Sequence, residues 1–293
     1  MSKYTHLEAA FKTAVYGHLS VFKEKYNIKR RPTSRVIHKG MDHAVERYKR
    51  ICRCLLQHIP DPSLLNGAVT SEIGCGDCLA AADMMLGLGA KHVHLVEHLP
   101  LELSEDNRTA LQSLVGTQGL PNKGQILPAE GPLRLEPKLA TYHQGLLENI
   151  RLPEQVDILY SFDVLEHVED LEGFFSYCEE VVRPGGIMIH KFDLSGHGLF
   201  EDPMPPLDFQ TFPRWLFDLI FTKYHRAVGR FADEFVTSMK NHGFVDIKVV
   251  PIRTADPEYL EEIWPYLRRD ARARSEEIVK LLDLVITATR QPV

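Results

Sequence analysis

The chain has 293 residues, 44% of them hydrophobic, and a formal net charge of −6 at pH 7. That is enough apolar material for a full core in one large domain or two small ones. The acidic balance speaks against a broad nucleic-acid footprint, and no apolar run reaches the roughly 18 residues a transmembrane helix needs. Five cysteines, an odd and low count, favour free thiols in a reducing compartment. Residues 1–6 lack the apolar core of a signal peptide, so a cytoplasmic protein, away from membrane and nucleic acid, is expected.

Residues 1–60 read as an N-terminal helical cap and 61–293 as the main domain. Leu7, Ala10, Phe11, Val15 and Leu19 recur at helical spacing. A second amphipathic stretch covers 36–56, through Val45, Tyr48, Ile51 and Leu55. The basic run Lys29-Arg30-Arg31-Pro32-Thr33-Ser34-Arg35 suits an acidic or phosphorylated ligand, although such runs are more often solvated loops. Pro60-Asp61-Pro62 then makes a turn.

From Ala68 onward strands and helices alternate, which predicts a parallel sheet covered on both faces. Strands are expected over 69–73, 92–96, 140–143, 156–162, 187–192, 245–250 and 284–289. Helices are expected over 78–88, after the cap Ser104-Glu105-Asp106, over 171–182 and over 231–241, with a long helical stretch from Pro257 to about residue 282. The Gly- and Pro-rich segment 116–137 reads as loop, and Arg183-Pro184-Gly185-Gly186 as the turn into strand five. Segment 195–228, with Pro203, Pro205, Pro206 and Pro213 followed by Trp215, Phe217 and Phe221, reads as an inserted lid.

The densest local signal is Val69-Thr70-Ser71-Glu72-Ile73-Gly74-Cys75-Gly76: a short strand running into a glycine turn and then a helix. Glycine lets the backbone lie flat against a ligand, and the helix start offers unpaired N–H groups and a positive dipole end. The second strand ends on Glu97, placed to accept ribose hydroxyls. The two tips together describe a pocket for an adenosine-containing cofactor. Leu79 stands where a dinucleotide fingerprint wants its third glycine, and Glu72 suits a cationic ligand.

The pattern Glu-x-Gly-x-Gly with the later acid Glu97 resembles motifs I and II of class I S-adenosylmethionine (SAM) methyltransferases. The segments Asp163-Val164-Leu165-Glu166-His167-Val168 and Arg183-Pro184-Gly185-Gly186 are similar to motifs IV and V of the ubiquinone and small-molecule group. The resemblance covers roughly 68–192. It implies a Rossmann-like α/β fold with seven strands, mostly parallel, the last antiparallel. It implies SAM as cofactor and S-adenosylhomocysteine (SAH) as product, with Glu72, Gly74, Cys75 and Gly76 around the methionine part. Glu97 would take the ribose and His98 would lie beside the adenine, flanked by Gly145 and Leu146, where many relatives carry Asp. Ser161 and Phe162 would sit near the sulfonium.

A hydroxyl acceptor needs a proton removed. His197, just beyond strand five, and His167, after strand four, are the candidate bases, with Tyr224, His225 and Arg226 behind them. O-methylation is the first expectation. A nicotinamide-dependent oxidoreductase and a catalytically inactive SAM-binding partner subunit are the alternatives. No metal site is expected: Cys75 and Cys78 lack a matching pair, and Cys52 and Cys54 stand too close together. His92 and His94 should share one strand face and pack under a helix.

Overall fold

A computed structural model describes residues 40–196, 205–220 and 229–292, with Phe11, Ala14, Val15, His18 and Phe22 as single helical positions. Helix α1 (Met41–His58) comes first. Its residues Ala44, Tyr48, Ile51, Cys52 and Leu55 form a buried stripe at spacings of three and four, as an amphipathic helix on a core requires. Seven strands follow: β1 (Val69–Ile73), β2 (His92–Glu97), β3 (Ala140–Gln144), β4 (Val156–Phe162), β5 (Val182–Asp193), β6 (Phe244–Thr254) and β7 (Leu281–Arg290). Their order across the sheet is β3-β2-β1-β4-β5-β7-β6. The first five strands pair in parallel, and β7 runs antiparallel between β5 and β6.

Helices α2 (Ala80–Gly87) and α3 (Glu105–Gln112) lie with α1 on one face of the sheet. Seven of the eight residues of α2 are buried, Asp83 among them, so this helix is enclosed on all sides. On α3, Asn107 and Ser104 exchange the reciprocal bonds of a capping box. Helices α4 (Leu171–Val181) and α6 (Ala232–Asn241) cover the opposite face. A smaller third cluster joins Leu207 and Phe231 to Leu260, Ile263 and Leu267.

Several boundaries differ from the sequence expectation for identifiable reasons. Strand β5 begins at Val182, directly after α4, so Pro184-Gly185-Gly186 lies inside the strand. There it forms a bulge, with the register moving from Val156↔Val182 to Ile158↔Ile187. Gly185 takes φ +75°, a conformation a side chain resists. The long helix expected from Pro257 breaks into short pieces, Pro257–Ile263, Arg269–Arg272 and Glu276–Val279. Pro265 lacks an N–H to continue the first, and Arg268 and Ser275 are extended.

Within segment 195–228, helix α5 (Arg214–Ile220) is present. Phe209 and Phe217 are buried while Trp215 is exposed. The His18 ring donates to the Leu219 carbonyl at 3.0 Å. Among the described residues strand β6 is an edge that pairs with β7 alone, and its register shifts near Asp246 and around Pro251–Arg253. Among the described residues no helix is long and apolar enough to cross a membrane.

Candidate functional site

The sheet reverses its winding between β1 and β4, which sit side by side: from β1 the chain adds strands outward on one side through β2 to β3, and from β4 outward on the other to β5. Crevices at the carboxyl ends of such strand pairs are where α/β folds bind ligands. Gly74, at the tip of β1, has φ +74°. A Cβ there would press into the Val164 side chain beyond β4, so the turn requires glycine both for its conformation and for the approach of the two tips.

Glu97 closes the other side of the turn. Its carboxylate accepts from the Gly76 N–H at 3.2 Å and the His98 N–H at 2.8 Å, and lies 2.6 Å from the His98 ring. Burial pushes this carboxyl upward, but the His98 ring, with the His98 and Gly76 amides, holds it below the usual carboxylate range. Glu97 is therefore a fixed anion at the mouth of the glycine turn.

Glu72 is different. It points from β1 to the face that carries α1 and α2, in register with Tyr160, and is buried. Among the described residues, its Oε2 and the Tyr160 hydroxyl have no hydrogen-bond partner. Burial, helped by the charge of Glu97, pushes its carboxyl up to about 8. Cys75 and Cys78 are buried beside it, and burial drives both thiols well up, which leaves them poor nucleophiles and poor redox groups.

A groove of about 1810 Å³ opens over these strand tips. Of the residues singled out in the sequence, Gly74, Glu97, His98, Leu146, Phe162 and His167 line it. Glu72, Cys75 and Gly76 lie behind the turn. Gly145 supports the rim by donating its N–H to the Glu97 carbonyl at 3.0 Å. Ser161 points to the opposite side of the sheet from Phe162, where its hydroxyl meets His190 Nδ1 at 2.8 Å. His167 is exposed on the groove wall, in the 3₁₀ turn Leu165–His167. His197, Phe221, Tyr224, His225 and Arg226 lie outside the described residues, as do the 29–35 basic run and most of the first forty residues.

The structure also assembles groups to which no sequence motif assigns a role. Asp163, at the tip of β4, holds φ +56°, a strained conformation for a residue with a Cβ and one that clusters at functional sites. Its carboxylate pairs with Lys191 of β5 and, at 3.8 Å, with Arg47 of α1. Lys191 reaches Asp283 of β7 at 3.0 Å, and Arg253 of β6 binds Asp283 at 2.5 Å and Asp193 at 3.5 Å. This ionic floor spans four strand tips. Only register across the sheet brings its members together, so no local pattern announces it; Asp163 alone stood inside a recognised motif.

On the far side, His92, His94 and His143 pack against one another at steep tilts, with ring centroids 4.8 and 5.0 Å apart. His92 and His94 do share a face, and the third member comes from β3. Among the described residues no group of three His, Cys, Asp or Glu side chains is placed to hold a metal ion.

Residues 71–190 match the sequence model of a methyltransferase domain. The seven-stranded sheet with its antiparallel β7 is the Rossmann-like fold that such a domain implies. No curated protein matches the chain. Among solved structures, it is similar to phosphoethanolamine N-methyltransferase 2 of Haemonchus contortus in complex with SAM. That likeness has 16% identity over 84% of this chain and 53% of that one, with TM-score 0.47; the chain thus spans about half the length of that protein. A SAM-dependent methyltransferase from Mesorhizobium loti is 17% identical over 86% of this chain and 100% of its own, with TM-score 0.44. Geranyl diphosphate C-methyltransferase from Streptomyces coelicolor is 13% identical over 83% and 79%, with TM-score 0.48.

Proposed function

We propose that this chain moves the methyl group of SAM onto a hydroxyl of a small-molecule acceptor held in the groove. The observation that carries this reading is that one cavity contains both the Gly74–Glu97 tip pair and the wall bearing His167. At about 1810 Å³ it exceeds the roughly 300–1,000 Å³ of a single ligand site, which leaves room for donor and acceptor together.

The residues present suit a cationic nucleoside. The unpartnered Glu72 Oε2 is a buried acceptor for the ammonium of an amino-acid moiety, directly or through water. The anchored Glu97 carboxylate suits ribose hydroxyls, and His98 and Leu146 form the rim where an adenine would lie. SAM supplies its own reactivity as a sulfonium. The protein's task is to align the acceptor and exclude water, and, for a hydroxyl, to take its proton. The candidate bases are His197, expected just beyond β5, and His167, which lines the groove.

Incubating the protein with labelled SAM and a metabolite extract should yield a methyl ether or ester. His167→Ala should leave SAH affinity unchanged while slowing turnover about 10²–10⁴-fold. Tight binding of NADH and none of SAH would overturn the assignment. Tight SAH binding with no transfer to any extract would favour a non-catalytic partner subunit.

A further inference from the structure

We infer that the acceptor is an anion, and that its negatively charged group is held by Arg50 and Arg47 on the groove face of α1. This rests on the functional reading above.

Helix α1 has two faces. One packs on the core; the other, through positions 43, 47, 50, 54 and 57, lines the groove. That second face carries Arg47, Arg50 and the adjacent Arg53. The charges opposite are already balanced against one another. Asp163, Asp193 and Asp283 on the floor are each ion-paired with Lys191, Arg253 or Arg47. On α1 itself, Glu46 pairs with Lys49 at 2.8 Å.

What remains is cationic. Arg50 is exposed to the groove and makes no hydrogen bond or ion pair with any described residue. Among the described residues, Arg47 reaches Asp163 with one terminal nitrogen, at 3.8 Å, and its buried Nε has no partner. A buried guanidinium N–H with nothing to donate to is costly, and a carboxylate or phosphate satisfies it bidentately. The contact between Arg47 and the strained tip of β4 places this cationic wall beside the point where the cofactor's methyl would emerge. The acids Glu97 and Glu148 line the groove with His98 and Leu146, where the positively charged cofactor would lie, and Glu169 and Asp170 lie at the start of α4.

Calorimetry on the full chain tests this. SAH is titrated first, to establish the cofactor site. Pyrophosphate and citrate, as phosphate-type and carboxylate-type probes, are then titrated into the SAH-saturated protein. Wild type should bind at least one probe, more weakly as salt rises, and the stronger of the two identifies the anion class. Arg50→Gln should weaken that probe about tenfold or more while leaving SAH affinity unchanged. Arg269→Gln, which removes an exposed charge elsewhere, should change neither. SAH binding with no probe binding, or equal losses in both variants, would overturn the inference and leave the methyltransferase reading intact. Failure of SAH itself to bind would bring down both.

Discussion

Two buried carboxylates eleven residues apart flank the glycine turn, and they are treated in opposite ways. Asp83, inside α2, accepts from four successive backbone amides, Lys123 to Ile126, at 2.8–3.2 Å, and from the Asn122 side chain at 3.3 Å. The loop that follows α3 is wrapped around that one side chain. Glu72 is as deeply buried, yet one of its oxygens has no hydrogen-bond partner. A buried acid that the fold has satisfied is part of the scaffold. One that the fold has left wanting costs stability, and such groups concentrate where a ligand completes them.

The contrast can be broken or sharpened by substitution. The largest effect should come from the turn between the two acids: Gly74→Val should abolish measurable SAH binding, since the side chain would meet Val164 and strain a φ of +74°. Retained affinity would show that the cofactor lies elsewhere. Next, Asp83→Ala should lower unfolding free energy by about 3–5 kcal/mol, because several amide donors lose their acceptor at once. Denaturant unfolding reads this directly, and a loss under 1 kcal/mol would remove Asp83 as the organiser of the loop.

Glu72→Gln should behave in the reverse sense. Because the Glu72 carboxyl is raised to about 8 in the folded chain, its contribution to the stability of the cofactor-free protein is fully present below about pH 4.5. It is lost as pH rises toward 8, by an amount on the order of a few kcal/mol. In Glu72→Gln that part of the pH dependence should vanish, while SAH affinity falls. The smallest effect is a fraction of a proton. An ammonium placed beside Glu72 favours the carboxylate, so SAH binding near pH 7 should release protons, seen as a dependence of binding enthalpy on the ionisation heat of the buffer. Glu72→Gln should bind without that release.

How much of this was legible in the sequence depends on range. Strands β1 and β4 begin and end where the sequence predicts, because each is a short buried segment bounded by turn residues. The Gly74 turn and Glu97 were readable for the same reason: their geometry is set within a few residues. Strand β5 was misjudged at its start because Pro184-Gly185-Gly186, which normally stops an element, is absorbed as a bulge. The histidine pair on β2 was visible by alternation, but His143 joins it only through the pairing of β2 with β3. The ionic floor is the extreme case. Asp163, Lys191, Arg253 and Asp283 are far apart along the chain, and their meeting needs the antiparallel insertion of β7. The arginine wall of α1 was equally hidden: periodicity finds the core face of a helix, but not what the other face looks onto.

The outer rim of the sheet has its own consequence. Strand β6 is eleven residues long and exposes Val249, Val250 and Ile252, a composition that in a flat border strand would recruit neighbours into fibrils. Its irregularities forestall this. Asp246 kinks the backbone at φ +51°, Pro251 withholds a donor, and Lys248 places a positive charge on the border. The protein thus carries a long sticky border that is nonetheless a poor template for aggregation.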